Sequence, residues 1–101
     1  MASGAIKSIS AIETGTLISE SYGLMTYVFN PSIRLCVVAW NGNGTQPPAS
    51  VSATLPLGMR PLARTTNTIL AGNYIEASSD SVVVSTGAHP WTAGYVAFFA
   101  G

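Results

Sequence analysis

The chain has 101 residues, of which 48% are apolar and 8% are charged, and its formal net charge is zero. That length fits one domain, and the charged fraction is well below the roughly 25% of an average soluble protein. A neutral chain excludes nucleic-acid binding by phosphate neutralisation, which needs a basic surface. A disordered chain is also excluded, because disorder goes with low hydrophobicity and high net charge.

The hydrophobic residues occur in short runs that do not predict membrane insertion. The longest uninterrupted apolar run, 35–40, has six residues, whereas a spanning helix needs about 18 or more. The N-terminus lacks the basic and apolar regions of a secretory signal. Residues 1–4 are a candidate appended remnant. Residues 1–14 are predicted to form an extended lead-in or one short turn.

Residues 15–101 carry the pattern of one β domain, in which β-branched and aromatic runs alternate with clusters of Gly, Pro, Asn and Ser. Hairpins are predicted over 24–40 and around the turn at 78–81. The segment 56–68 is predicted to be a long connection with little regular structure, and a further strand is left open at Ile69. Seven or eight strands predict an all-β fold, either a β-sandwich or a jelly roll. The predicted strands are 16–21, 24–29, 33–40, 51–55, 74–77, 82–85 and 94–100.

Several of these strands are apolar on both faces, whereas a half-exposed strand alternates apolar and polar residues. A small two-layer domain buries only one face of each sheet, so the other face would form a large exposed apolar patch. The pattern therefore predicts a homo-oligomer. The residues predicted to form the subunit interface are Met25, Tyr27, Phe29, Val96 and Phe98. The alternative is a helix or loop over that face, to which residues 5–14 would contribute.

The sequence offers little for catalysis. It contains a single histidine and a single cysteine, which excludes an internal disulfide. It has neither a Gly-x-Ser-x-Gly nucleophile elbow nor a Walker-type phosphate loop. Metal sites need several Cys, His or carboxylate ligands at workable spacing, and no such group stands out. We therefore expect no enzymatic activity, no catalytic residue, no cofactor and no metal.

Two tryptophans beside predicted loops are the candidates for ligand binding. Trp40 ends a strand just before Asn41 and Asn43, and Trp91 follows His89 in the loop before the last strand. An aromatic platform beside neutral hydrogen-bonding groups is typical of a saccharide site. The alternative is that both tryptophans are core or interface residues, as large aromatics in small sandwiches commonly are.

Three segments of the second half of the chain carry a recognisable succession of motifs. Residues 54–61 read Thr-Leu-Pro-Leu-Gly-Met-Arg-Pro, residues 74–84 read Tyr-Ile-Glu-Ala-Ser-Ser-Asp-Ser-Val-Val-Val, and residues 91–98 read Trp-Thr-Ala-Gly-Tyr-Val-Ala-Phe. This succession resembles the C-terminal domain of bacteriophage tail-fibre and baseplate receptor-binding proteins. In that family, an aromatic residue stands at the position of Met59 and a turn glycine at that of Ser81.

The resemblance implies a trimeric β-sandwich head at a phage tail tip, attached to upstream fibre or baseplate proteins. Such a head binds saccharides on a host bacterium through loops or subunit clefts. On that basis we expect a non-enzymatic adhesin on the virion, outside the cell. The alternative is a structural trimerisation module, or a decoration module of capsid or spore fibres, without a ligand. Accessible tryptophans favour the adhesin, and buried tryptophans favour the structural module.

Overall fold

The computed structural model describes residues 11–101, and these residues form an all-β fold of two four-stranded antiparallel sheets. The prediction of an all-β chain with seven or eight strands is confirmed. A single 3-10 turn covers Leu70–Gly72, and no helix in the described part is long and apolar enough to cross a bilayer. The strands are β1 Glu13–Glu20, β2 Gly23–Asn30, β3 Leu35–Gly42, β4 Ser50–Thr54, β5 Thr65–Thr68, β6 Tyr74–Ser78, β7 Ser81–Ser85 and β8 Ala93–Phe99.

The first sheet has the strand order β1-β2-β3-β8. The predicted hairpin of β2 and β3 is present, and β8 pairs with the other side of β3. β1 pairs with β2 and has a bulge between Thr16 and Ile18. Because Glu13 already pairs with Phe29, the strand begins earlier than the predicted domain boundary at residue 15. The rest of the predicted lead-in, residues 1–10, lies outside the described residues.

The second sheet has the strand order β4-β7-β6-β5. β6 and β7 form the second predicted hairpin, which closes at the pair Ser78 and Ser81. Because β4 lies beside β7 rather than beside β5, the sheet has the order of a Greek key with a long connection after β4. That connection passes the free edge of β8, where the Leu62 amide donates to the Phe99 carbonyl at 2.9 Å.

Strand β5 corrects the expectation that residues 56–68 lack regular structure. It pairs with β6 from Thr65 opposite Ala77 to Thr68 opposite Tyr74. Its sequence, Thr-Thr-Asn-Thr, has no apolar alternation, so the hydrophobic pattern gave no signal for it. Ile69, where a strand was left open, follows β5 and precedes the turn.

The core lies between the two sheets and consists of side chains from the inner face of each sheet. Successive side chains of a strand point to opposite sides, so β3 directs Cys36, Val38 and Trp40 inward, each 0% exposed. Burial raises the pKa of the Cys36 thiol to about 11, which keeps this side chain neutral as a packing group. The buried apolar residues are Met25, Phe29, Cys36, Val38, Trp40, Val51, Leu55, Met59, Ile75, Ala77, Val82, Val84, Val96, Phe98 and Ala100.

Four of the five residues predicted to form a subunit interface lie in this core, and the interface prediction is wrong for them. Met25, Phe29, Val96 and Phe98 are at most 4% exposed within one chain. The fifth, Tyr27, is half-buried and packs against the core. Both alternating sets of these strands are apolar, so the pattern alone does not tell which set faces the second sheet.

Arg34 lies in the turn before β3 rather than on the strand predicted for 33–40, and its φ of +58° is left-handed. Its apolar neighbours in sequence predict a carboxylate partner, either Glu20 or Glu76. Instead, the guanidinium donates to the carbonyls of Gly58 at 2.8 Å and Gly101 at 2.7 Å. Arg34 therefore ties the end of β8 to the β4–β5 connection through backbone acceptors.

Candidate functional site

One end of the sandwich, here called the loop end, consists of residues 21–22, 43–49 and 86–92. Backbone hydrogen bonds join these segments. The Gly42 amide donates to the Thr92 carbonyl at 2.8 Å, and the Gly44 amide donates to the Pro90 carbonyl at 3.0 Å. These two bonds continue the pairing of β3 with β8 beyond the strands. The two loops that carry the predicted binding residues are therefore held side by side.

Asn43 fixes the conformation of its loop. Its side-chain amide donates to the Ser21 carbonyl at 2.6 Å, and its Oδ1 accepts a hydrogen bond from the Thr45 amide at 3.1 Å. The second contact is the local Asx turn that asparagine favours in loops. Asn43 is exposed, but both ends of its amide already have protein partners. Its role is to position the loop, with one remaining donor and one lone pair for a ligand.

Trp91 is the main exposed aromatic group of the loop end, with 70% of its surface accessible. Its ring lies over Gly44, where a Cβ would stand 2.6 Å from an atom of the indole. Gly44 has a φ of +91°, a conformation that favours glycine. Glycine is therefore required here both for the backbone turn and for the close approach of the ring. The contact supports the indole from below and leaves most of it to solvent.

Trp40 is 0% exposed, so its prediction as a ligand-binding residue is wrong. Its indole Nε1 donates to Thr92 Oγ1 at 3.1 Å, which satisfies the polar atom of a buried ring. The Tyr22 ring packs against it at a centroid distance of 6.2 Å. Because position 40 has the inward parity of β3, the side chain enters the core instead of the loop surface.

His89 and Asn41 are exposed at the same end of the molecule. The carbonyl of His89 accepts a hydrogen bond from Thr92 Oγ1 at 3.2 Å. Because the same hydroxyl accepts from the Trp40 indole, it connects the loop of His89 with the buried ring. Asn41 lies near the end of β3 opposite Ala93. Of the five predicted binding residues, the structure places Asn43, His89 and Trp91 on the surface of the loop end, and Asn41 beside it near the end of β3.

Thr92 and Gly44 organise this site, although neither was identified in the sequence as a binding residue. Thr92 is 0% exposed, and its hydroxyl accepts from Trp40 and donates to His89, which links the core to the loop. Nothing in its local sequence distinguishes it from the chain's other threonines. Gly44 belongs to an Asn-Gly-Asn-Gly run that predicts a turn, but its contact with Trp91 joins segments far apart in the chain.

The loop end presents neutral polar and aromatic side chains. Within residues 11–101, no three His, Cys, Asp or Glu side chains come together in a group that could hold a metal ion. The exposed groups are an indole, an imidazole and carboxamides. Such a set offers a flat apolar surface edged by hydrogen-bonding groups, which suits an uncharged polar ligand with an apolar face.

Comparisons with protein-family models, with curated proteins and with solved structures found no match to this chain.

Proposed function

We propose that this chain is a non-enzymatic adhesin domain that recognises saccharides on the surface of a host bacterium. The observation that carries the proposal is the 70% exposure of Trp91 on a loop fixed by backbone hydrogen bonds. A large apolar ring in water costs free energy unless a ligand or partner covers it. Since the ring packs over Gly44, its orientation is set before any ligand arrives, which lowers the entropic cost of binding.

The neutral surroundings of Trp91 favour a saccharide over a charged ligand. Asn41, Asn43 and His89 expose amide and imidazole groups at the same end of the molecule, and such groups pair with hydroxyls. A sugar ring has an apolar face that stacks on an indole and hydroxyls around its rim. The site would therefore bind neutral polysaccharide, with the ring contributing contact area and the neighbouring groups contributing orientation.

The finer proposal is a jelly-roll-like head that assembles as a homotrimer at a phage tail tip. It rests on the resemblance of residues 54–61, 74–84 and 91–98 to phage receptor-binding proteins. In that setting upstream fibre or baseplate proteins would carry the head, and the loop end would face the host. Three copies would present three Trp91 platforms, which raises avidity for a repetitive polysaccharide.

A structural module without a ligand is the second candidate function. The burial of Trp40, which is 0% exposed and hydrogen-bonded to Thr92, favours it, because one of the two candidate platforms is part of the core. Under that candidate Trp91 would be covered by a neighbouring protein of a fibre or capsid.

Binding to whole bacteria and to a glycan array tests the adhesin. The chain is expected to bind envelope polysaccharide of at least one host, and Trp91→Ala is expected to weaken binding at least about tenfold. Trp91→Phe keeps part of the platform and should retain part of the affinity. Leu57→Ala is the matched control, since Leu57 is 82% exposed in the connection after β4 at the other end. Equal binding by the chain and Trp91→Ala, or no binding by either, would contradict the proposal.

A further inference from the structure

The outer face of the first sheet carries no charge on β2, β3 and β8 and is mostly apolar on these three strands. The outward positions of β2, β3 and β8 alternate with the core residues, and the strand pairings place them in rows such as Val28, Val37 and Ala97. Among the described residues that point outward from these strands, none is charged. Exposed positions include Leu24 at 41%, Val28 at 46%, Tyr95 at 57% and Phe99 at 56%.

The outer face of the second sheet has a different composition. Ser50, Ser52 and Thr54 of β4 point outward, because Val51 between them is buried. On β6, Glu76 accepts hydrogen bonds from Thr66 at 2.7 Å and from Arg64 at 2.9 Å, and these contacts lower its pKa. This face carries hydroxyls and an ion pair, which water solvates well. The outer face of the second sheet is therefore well solvated, whereas the outer face of the first sheet exposes apolar side chains to water.

We infer that the outer face of the first sheet is the surface through which copies of this chain associate. A four-stranded sheet with about 4.8 Å between strands and about 3.4 Å per residue presents a face about 20 Å wide and 25 Å long. With its side chains, such a face supplies much of the roughly 800 Å² that each partner contributes to a standard interface. An apolar patch of that extent is near the upper end of what soluble monomers expose, and patches of that size are often functional.

A second copy is the occupant that the charge pattern favours. Copies of one face that meet around a symmetry axis, as in a trimer, avoid like-charge repulsion when the face carries no charge, and the outward positions of β2, β3 and β8 meet that condition. Burying one large apolar side chain is worth roughly 1.5–3 kcal/mol, and Tyr95, Phe99 and Leu24 are all available. The inference rests on the proposed function, which includes a homotrimer. It adds which surface of each chain forms the contact between copies.

A shallow groove extends this face around the edge of β8. It has a volume of about 270 Å³ and is lined by Leu62, Ala63, Thr65, Ala97, Phe98 and Phe99. Ala97 and Phe99 also belong to the outer face, so the groove is continuous with it. Leu62 is 72% exposed on its rim. A side chain from the edge of a neighbouring copy would complete this groove and fix the angle between the two copies.

A charge-insertion pair tests the inference by sedimentation velocity and light scattering at micromolar concentration. Val37→Lys places a charge at a half-buried outward position of the first sheet, and Val83→Lys does so in the second sheet. The unchanged chain is expected to sediment as a multiple of 10.4 kDa. Val37→Lys should raise the dissociation constant of the assembly at least about 100-fold, since a buried unpaired charge opposes association. Val83→Lys should assemble like the unchanged chain.

A second matched pair of variants distinguishes loss of assembly from loss of folding. Circular dichroism establishes that each variant is folded. Tyr95→Arg and Tyr74→Arg alter exposed tyrosines, 57% and 38% accessible, on the first and second sheets. Tyr95→Arg should give monomers, and Tyr74→Arg should not. A monomeric unchanged chain would overturn the inference and point to a lipid surface or a different protein as the occupant. Unaltered assembly of folded Val37→Lys and Tyr95→Arg would overturn it as well.

The binding and assembly proposals fail in distinguishable ways. Trp91 lies at the loop end rather than on the outer face of the first sheet, so Trp91→Ala is expected to sediment like the unchanged chain. Loss of saccharide binding with normal sedimentation supports the adhesin without bearing on the interface. A multimer that binds no saccharide would support the interface and contradict the adhesin.

Discussion

Hydrogen bonds tie Trp40 to the loop that carries Trp91, yet Trp40 is 0% exposed and Trp91 is 70% exposed. Thr92 connects the two regions, because its hydroxyl accepts from the Trp40 indole and donates to the His89 carbonyl. Trp40 sits on a strand, so the opposite sheet covers its ring. Trp91 sits on a loop beyond both sheets, where a glycine supports one side of the ring and nothing in the described chain covers the other.

The contrast separates two uses of the same side chain. At position 40 the ring fills space between the sheets, and its value is the stability of the fold. At position 91 the ring contributes little to the core, and the proposed function gives it a use at the surface. The comparison is open to test because substitutions at each position, and at the contacts that support each ring, should have different consequences.

Trp40→Ala should have the largest effect on stability. Removing a fully buried large aromatic leaves a cavity and takes the indole donor away from the Thr92 hydroxyl, and such changes cost about 3–5 kcal/mol. That is a large part of the 5–15 kcal/mol typical of a domain's total stability. Trp91→Ala is the matched control and should change stability by less than about 0.5 kcal/mol. Urea unfolding followed by circular dichroism measures both, and equal losses would contradict the contrast.

Thr92→Val should have the next largest effect, about 2 kcal/mol. Valine keeps the shape of threonine but leaves the indole N–H of Trp40 without its acceptor, and the His89 carbonyl keeps only the Thr92 amide as a donor. The cost of an unsatisfied buried polar group is about 1–3 kcal/mol. Thr92→Ser retains the hydroxyl and should lose clearly less. If valine and serine destabilise the chain equally, the hydroxyl does not link the two regions.

Gly44→Ala should have the smallest effect on stability. It should lower the free energy of unfolding by about 1 kcal/mol more than the control variant Gly58→Ala does. Gly44 and Gly58 have φ values of +91° and +87°, but a Cβ meets the Trp91 ring at Gly44 and nothing within 4 Å at Gly58. Both alanine variants have the same backbone strain. Only Gly44→Ala should also displace the indole, which acrylamide quenching of tryptophan fluorescence would detect. Identical quenching in the two variants would show that Gly44 does not support the ring.

Much of the fold follows from the period-two pattern of the sequence. The two hairpins, the all-β class and most strands were predictable because apolar runs and turn residues are local signals. Strand β5 was not, since Thr65–Thr68 carries no apolar alternation and is held by pairing with β6. The carbonyl partners of Arg34 were not predictable either, because they come from chain segments far away in sequence.

The candidate site was predictable only in part. The loop positions of Asn43 and Trp91 follow from their neighbours in sequence, and the structure joins these loops through Gly44 and Pro90. The burial of Trp40 depends on which side of β3 faces the second sheet. The sequence leaves that choice open because both sides of β3 are apolar. The same ambiguity placed Met25 and its neighbours at a subunit interface instead of the core.

Fluorescence of Trp91 alone is the most direct test of saccharide recognition at the loop end. Trp40→Phe leaves Trp91 as the chain's one tryptophan, and circular dichroism would first establish that this variant folds. Titration with purified envelope polysaccharides from a panel of bacteria should then shift the emission to shorter wavelength and protect the indole from acrylamide, because a sugar covers the ring. Emission and quenching that stay constant with every polysaccharide would contradict recognition through Trp91.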